Sequence, residues 1–387
     1  MTPKVTLKAT CGAAELRSAV ALAARVAPSK GPRPILRNVR LRVAGDALVV
    51  AATDLEVSVR LAVPIRDAAA SAAEGVALAN ARQLLATLRQ LPKDGAVELE
   101  GSLSGVVLRA DGSKFDVLGD APDDFPELPT LGADVEASAS LPAGELSSMV
   151  GRVAFAAARE KTRYAMNGVL LETWGDGRAS CGRRFRLVAT DGKRLTLDER
   201  TLAEPGRATF IVAPTLALEL ARAIGEGSSE PVDIYATASE VFLDFGAALV
   251  IARPIEGHFP PYEDVLPKSL GYRLDFERKT FRGALKRASA VCTRDSSAVR
   301  FRFNGDLTMT ARVPEVGESS ATLPVSEPRP DGDVLEVGFN PRFLEEGLKS
   351  FSSDRFALEL EDACKPAILR DPASPSSFYV VMPINLS

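Results

Sequence analysis

Histidine is almost absent from this chain of 387 residues, which has only His258. A histidine general base or triad would have to use it, yet it sits in Gly257-His258-Phe259-Pro260-Pro261, a turn-forming stretch. The four cysteines, Cys11, Cys181, Cys292 and Cys364, show no paired spacing, which argues against a disulfide framework or a zinc site. No uncharged apolar run approaches the roughly 20 residues of a membrane-spanning helix. Lys4, Lys8, Glu15 and Arg17 leave no room for the apolar region of a signal peptide. A serine nucleophile elbow, a complete phosphate loop and a full dinucleotide fingerprint are also missing. Gly175-Asp176-Gly177 begins like that fingerprint, but Ser180 stands where the third glycine belongs. Asp191-Gly192-Lys193 resembles the end of a phosphate loop, but Leu187 replaces the leading glycine and Arg194 the Ser/Thr. Both read as hairpin turns. The expectation is a soluble, cytoplasmic, non-catalytic protein with no cofactor and no metal.

What is present is ordinary globular usage, 46% hydrophobic and 25% charged, in a length that suggests two to three domains. The pattern recurs three times. Copy one opens with an amphipathic helix near Glu15–Val26, in which Leu16, Ala19, Val20 and Ala23 keep helical spacing. Strands over Ile35–Val43, Ala47–Ala52 and Glu56–Val63 follow, and a second helix runs to about Leu91. Copy two repeats the order with helices at Gly144–Ala158 and Pro214–Ile224, and copy three with Arg278–Ala290 and Pro341–Phe351. The strand-to-helix junctions Asn80-Ala81, Ala213-Pro214 and Asn340-Pro341 are 133 and 127 residues apart. Asparagine suits a helix N-cap and proline the first helical position. Phe125-Pro126 and Phe259-Pro260, 134 residues apart, mark stiff, extended linkers. The fold class expected is α+β, with three similar domains at 1–128, 137–257 and 258–387.

Thr53-Asp54 and Thr190-Asp191 occupy the same place in copies one and two. The two aspartates could form a metal pair. Their repetition favours a turn in which the carboxylate accepts local backbone N–H groups.

The net charge of −4 hides an uneven layout. Arg278, Arg282 and Lys286 recur at i, i+4 and i+8, opposite a stripe of Phe281, Leu285 and Ala288. Other predicted helices carry Arg17 and Arg25, Arg82 and Arg89, Arg152 and Arg159, and Arg222. Such faces suit phosphate contacts through counterion release, which is independent of sequence and permits sliding. No zinc finger, helix-turn-helix or stacking motif supports base recognition.

Several stretches carry a family resemblance: Ala52-Thr53-Asp54-Leu55-Glu56, Asp123-Asp124-Phe125-Pro126, Arg163-Tyr164-Ala165-Met166-Asn167-Gly168 and Val188-Ala189-Thr190-Asp191-Gly192-Lys193-Arg194-Leu195. Phe259-Pro260-Pro261-Tyr262, Val265-Leu266-Pro267 and Tyr379-Val380-Val381-Met382-Pro383-Ile384-Asn385-Leu386 complete the set. In this order and spacing the chain resembles the bacterial β sliding clamps, the processivity subunits of DNA polymerase III. It departs from their usual pattern at Asn385, Lys193 and Ala165.

The resemblance implies a head-to-tail homodimeric ring, lined by helices, that encircles double-stranded DNA. It implies one contact surface with Phe115 and Val117, and another with Val291 and Cys292. The pocket for partner peptides would comprise Met166, Thr190, Gly192, Lys193, Arg194, Leu195, Pro260, Val265, Val380, Val381, Met382 and Pro383. Those partners would be the polymerase III catalytic subunit, the clamp loader, and other polymerases and repair proteins. DNA contacts would fall to Lys30, Arg163 and Tyr164 by position, beside the helical Arg25, Arg82, Arg152, Arg159, Arg278, Arg282 and Lys286.

Overall fold

The computed structural model describes residues 7–66, 75–160, 164–175, 183–202, 209–266, 272–293, 298–325 and 334–386. One order of ten elements occurs three times. Copy one has β1 (Leu7–Gly12), α1 (Ala13–Val26), β2 (Asn38–Ala44), β3 (Ala47–Thr53), β4 (Val57–Pro64), β5 (Val76–Asn80), α2 (Ala81–Leu88), β6 (Ala96–Ser102), β7 (Gly105–Ala110) and β8 (Ser113–Leu118). Copy two has β9 (Ala139–Pro142), α3 (Ala143–Val153), β10 (Gly168–Gly175), β11 (Arg183–Thr190), β12 (Arg194–Leu202), β13 (Thr209–Pro214), α4 (Thr215–Gly225), β14 (Pro231–Ala236), β15 (Val241–Asp244) and β16 (Ala248–Ala252). Copy three has β17 (Tyr272–Glu277), α5 (Arg278–Ala288), β18 (Val299–Asn304), β19 (Asp306–Val313), β20 (Gly317–Leu323), β21 (Leu335–Phe339), α6 (Pro341–Ser350), β22 (Arg355–Leu360), β23 (Ala367–Arg370) and β24 (Ser377–Val381).

Local chemistry explains the helix starts. The Asn80 side chain accepts from Gln83 N at 3.1 Å and caps α2. Asn340 accepts from Arg342 N at 3.0 Å with Pro341 at the first helical position of α6. The middle junction differs, since Pro214 closes β13 and α4 begins one residue later. The predicted strand from Ile35 opens instead as a 3-10 turn, Pro34–Arg37, because proline at its first position favours a turn over a ladder. The predicted helix to Ala158 stops at Val153 and tightens into a 3-10 turn at Ala154–Ala156.

The chain divides into two compact units, one running up to Ser147 and including Leu216–Pro254, the other made of Ser148–Thr215 and Ile255–Ser387. The first holds an eight-stranded sheet, β5-β2-β3-β4-β16-β15-β14-β9, and a four-stranded one, β1-β6-β7-β8. The second holds β13-β10-β11-β12-β24-β23-β22-β17 and β20-β19-β18-β21. Each eight-stranded sheet is a seam between two copies. At the first seam β4 pairs with β16, with Val57 opposite Ala252 and Ser58 opposite Ile251. At the second, β12 pairs with β24, with Arg194 opposite Val381 and Leu195 opposite Val380.

The core of the second unit is aromatic: Phe281, Phe301, Phe339, Phe356 and Tyr379 are each at most 1% exposed. Edge-on pairs such as Phe281–Phe356 at 5.0 Å and Phe301–Phe339 at 5.3 Å add about 0.5–1.5 kcal/mol each beyond their burial. In the first unit aliphatic residues do this work, among them Leu16, Val20, Leu41, Leu48 and Leu78.

Candidate functional site

The loop that opens β12 is built by its own side chains. Thr190 Oγ1 donates to Arg194 O at 2.7 Å and accepts from Gly192 N at 3.1 Å. Asp191 Oδ1 accepts from Lys193 N and Arg194 N at 3.0 and 3.1 Å. Gly192 takes φ +82°, a left-handed turn that glycine allows without steric cost. Copy one repeats every bond. Thr53 Oγ1 donates to Val57 O at 3.2 Å and accepts from Leu55 N at 3.0 Å. Asp54 Oδ1 accepts from Glu56 N and Val57 N at 2.9 and 2.7 Å. Both aspartates therefore serve turns. Among the described residues, no group of three or more His, Cys, Asp or Glu side chains is placed to hold a metal ion.

Beneath the second loop lies Arg194, a buried guanidinium. Its Nε donates to Asp191 Oδ2 at 3.0 Å, its Nη2 to Phe155 O at 3.2 Å, and its Nη1 to Glu346. The rings of Phe155 and Phe343 stand 5.5 and 4.8 Å from it. Burial alone would lower its pKa; the carboxylates of Glu346 and Asp191 help to outweigh that and hold the charge. Tyr379, which donates to Phe343 O at 2.9 Å, has its own pKa pushed up by burial.

The twelve pocket residues predicted from the resemblance divide by exposure. Thr190, Arg194, Leu195, Val380 and Val381 are buried in the sheet, and Leu195 and Val380 share a cluster with Ala165, Phe259 and Tyr262. Met166, Pro260, Met382 and Pro383 are half-buried, while Gly192, Lys193 and Val265 are exposed. Met382 N donates to Lys193 O at 2.9 Å, extending the β12–β24 seam beyond its last paired strand residue. One group beside the cluster was missed from sequence. Arg186 lies 4.4 Å from the Trp174 ring and donates to Glu199 at 2.7 Å, while the Tyr262 hydroxyl donates to Glu172 at 2.7 Å. The tyrosine after Phe259-Pro260-Pro261 was its only sequence signal.

Beside α5 and α6 a cavity of about 1160 Å³ opens, lined by Arg159, Lys279, Arg282, Lys286 and Arg342 with Glu345 and Cys292. Arg282 Nε donates to Glu345 Oε2 at 3.0 Å, so part of its charge is matched locally. Two of the residues expected to contact DNA are bonded within the protein. Arg278 turns away from the cavity: its Nε donates to Ser353 O at 2.7 Å and its Nη1 to Leu348 O at 3.5 Å, near the α6 C-terminus. Arg152 pairs at 2.6 Å with Asp198, whose side chain is 0% exposed, and this is a structural ion pair. Arg25 is exposed and pairs with Glu219 at 3.0 Å. Lys30, Arg82, Arg159, Tyr164 and Lys286 are exposed, and Arg163 lies outside the described residues.

Among the described residues, β8 and β20 end the four-stranded sheets with one edge unpaired, while β1 and β21 at the other ends make only the single bridges Cys11–Ile65 and Gly338–Ile384. On β8 Phe115 is half-buried, Val117 is a core residue at 2% exposure, and Leu118 on the opposite face is 78% exposed. Val117 and Leu118 thus point to opposite faces of the sheet, because successive strand residues face opposite ways. Val291 and Cys292 are half-buried against the copy-three core. No helix among the described residues is long and apolar enough to cross a membrane.

Comparison with known proteins agrees with this architecture. Residues 7–129, 140–261 and 263–385 match the N-terminal, central and C-terminal domains of the DNA polymerase III beta subunit. A beta sliding clamp of Caulobacter vibrioides is 29% identical over 396 residues, covering 98% of this chain and 100% of the relative. One from Synechococcus elongatus is 27% identical over 387 residues, with coverage of 98% and 100%. Among solved structures, a Pseudomonas aeruginosa DnaN sliding clamp bound to griselimycin gives a TM-score of 0.87 at 26% identity, covering 98% of this chain and 100% of that one. The Caulobacter crescentus beta sliding clamp gives 0.84 at 28% identity, with coverage of 98% and 99%. With all three domains matched in order, the chain belongs to the DNA polymerase III beta subunit family, the DNA sliding clamps of bacterial replication.

Proposed function

We propose that two copies of this chain close head to tail into a ring around duplex DNA, as a non-catalytic, cytoplasmic processivity factor. The observation that carries this reading is the incomplete set of seams. Within the chain β4 joins β16 and β12 joins β24, while among the described residues the equivalent edges β20 and β8 stay unpaired. By the same register, the first residue of β20 would face the last residue of β8 across two protomers, Leu118 opposite Gly317 of the partner subunit. Such a contact is heterologous and closes only at the right rotation per subunit. The exposed Leu118 side chain favours it.

The basic cavity beside α5 and α6 supports phosphate contacts by Arg159, Lys279, Arg282 and Lys286, joined by Lys30, Arg82 and Tyr164. The three repeats, 1–128, 137–257 and 258–387, would be its domains. Partner peptides of the polymerase catalytic subunit, the clamp loader and repair proteins would dock at the second seam. Met166, Gly192, Lys193, Pro260, Val265, Met382 and Pro383 form the rim, and Thr190, Arg194, Leu195, Val380 and Val381 the floor.

The test is topological. The protein is loaded on nicked circular DNA with a clamp loader and ATP, freed of unbound protein, and the circle is cut once. Loss from the cut DNA in gel filtration is expected; retention on linear DNA would sink the ring. Leu118→Asp should sediment as a monomer, and an unchanged dimer would remove β8 from the interface.

A further inference from the structure

The first seam holds a cleft of its own, about 60 Å³, lined in part by Thr53, Leu55, Ser58, Pro126, Ile251 and Arg253. That is space for a few water molecules or one small apolar side chain. Position by position, the repeated loop and the shared register map these residues onto Thr190, Gly192, Leu195, Pro260, Val380 and Met382 of the second seam. The correspondence extends to the bond beyond the last paired strand residues. Arg253 N donates to Glu56 O at 2.8 Å, as Met382 N donates to Lys193 O at 2.9 Å.

The two seams differ in charge at a mapped position, and the charged residues lining the first cleft are mainly carboxylates. Glu56 stands where the second seam has Lys193, and Glu127 and Glu240 also line the cleft, against Arg253 alone. Glu127 reaches Arg40 at 3.4 Å while its side chain stays 90% exposed, so its charge still faces the opening. Leu55 at φ +80° replaces Gly192, and its side chain narrows the space.

We propose that this cleft is a second docking subsite, for an extended peptide with a small apolar side chain next to a lysine or arginine. The apolar side chain enters between Leu55 and Ile251, and the cation meets Glu56, Glu127 and Glu240. This rests on the reading of the second seam as a peptide pocket, and the test separates the two.

Full-length protein with labelled Ile, Leu and Val methyl groups is titrated with Ac-Ala-Val-Lys-Val-NH2 and, separately, with the uncharged Ac-Gly-Leu-Val-Phe-NH2. The cationic peptide should shift the Ile251 and Leu55 methyl signals saturably and leave Val380 and Leu195 still. Ac-Ala-Val-Glu-Val-NH2 should bind there at least tenfold more weakly. Glu56→Lys with Glu240→Lys should weaken the cationic peptide by a similar factor, while the uncharged peptide still moves Val380. Silence at Ile251, or indifference to inverting the peptide charge, overturns the proposal. If Ile251 responds and Val380 ignores the uncharged peptide, the second-seam reading fails and the new subsite stands.

Discussion

The two seams share one backbone and differ in what their side chains contribute. Val57 and Arg194 open equivalent strands at equivalent register. Val57 is a small buried apolar residue, whereas Arg194 ties the loop of Asp191 to Glu346 on α6 and to the carbonyl of Phe155. A strand pairing can thus be copied at the backbone level, where ladder bonds ignore side-chain identity, while the ion pairs around it are written afresh. The second seam binds loop, sheet and helix into one network. The first keeps the loop bonds but places the apolar Val57 where the second has Arg194.

The largest effect should come from Arg194→Ala, which removes a buried cation from Asp191 and Glu346, leaving Asp191 its backbone bonds and Glu346 the exposed Arg342. A loss of about 3 kcal/mol in denaturant unfolding is expected, against about 1–2 kcal/mol for Val57→Ala. Equal losses would break the contrast between the seams.

Next, Gly347→Ala on α6 should cost about 2 kcal/mol by overpacking. A β-carbon there would meet Tyr379 Cε1 at 2.3 Å, and that ring on β24 is 1% exposed with nowhere to retreat. An unchanged melting temperature would show that α6 does not depend on this close approach to the seam strand.

The loops offer a reciprocal exchange. Gly192→Leu should destabilise by about 1–2 kcal/mol, the cost of a left-handed residue that carries a side chain. Leu55→Gly should change stability by less than about 1 kcal/mol, since relief of that strain offsets the added freedom of the unfolded chain. Opposite ranking in thermal unfolding would mean Leu55 is held mainly by what it packs against.

The smallest effect is on pH dependence. Burial alone would raise the Asp371 pKa, but bonds from Ser352 N at 2.7 Å and Ala373 N at 3.0 Å and from the Ser352 and Ser353 side chains bring it below the usual value. A carboxylate depressed by folding stabilises above the ordinary aspartate pKa, near pH 4, and that contribution is lost as pH falls through the lower folded value. Asp371→Asn should therefore flatten the acid side of the stability profile by about 1 kcal/mol. A profile parallel to the unchanged protein below pH 4 would count against it.

Much of this was readable in advance where the cause is local. The Asn80 and Asn340 caps, the Leu16-Ala19-Val20-Ala23 stripe and the repeated Thr-Asp turns depend on residues three or four apart. The Tyr379-Val380-Val381 end, expected from the resemblance as part of a peptide pocket, is the buried strand β24 inside an eight-stranded sheet. The internal partners of Arg152 and Arg278 were hidden because helical spacing groups charges on a face without saying what that face meets. Asp198 and the carbonyls of Leu348 and Ser353, which receive them, are distant in sequence. Which of Val117 and Leu118 is exposed was hidden for a related reason: adjacent strand residues oppose each other, and only the packed sheet tells inside from outside.

The amino-acid sequence by itself determined the threefold plan, the helix starts, the turn-building aspartates and the family, because each rests on short-range chemistry or on residues in order. Only the tertiary structure decided that copy two divides its strands between two sheets. It also decided that seams form at β4–β16 and β12–β24 while, among the described residues, β8 and β20 keep open edges. Backbone N–H and C=O groups are the same at every residue. Which strand meets which is therefore settled by the burial of whole faces, over separations that no local pattern reaches.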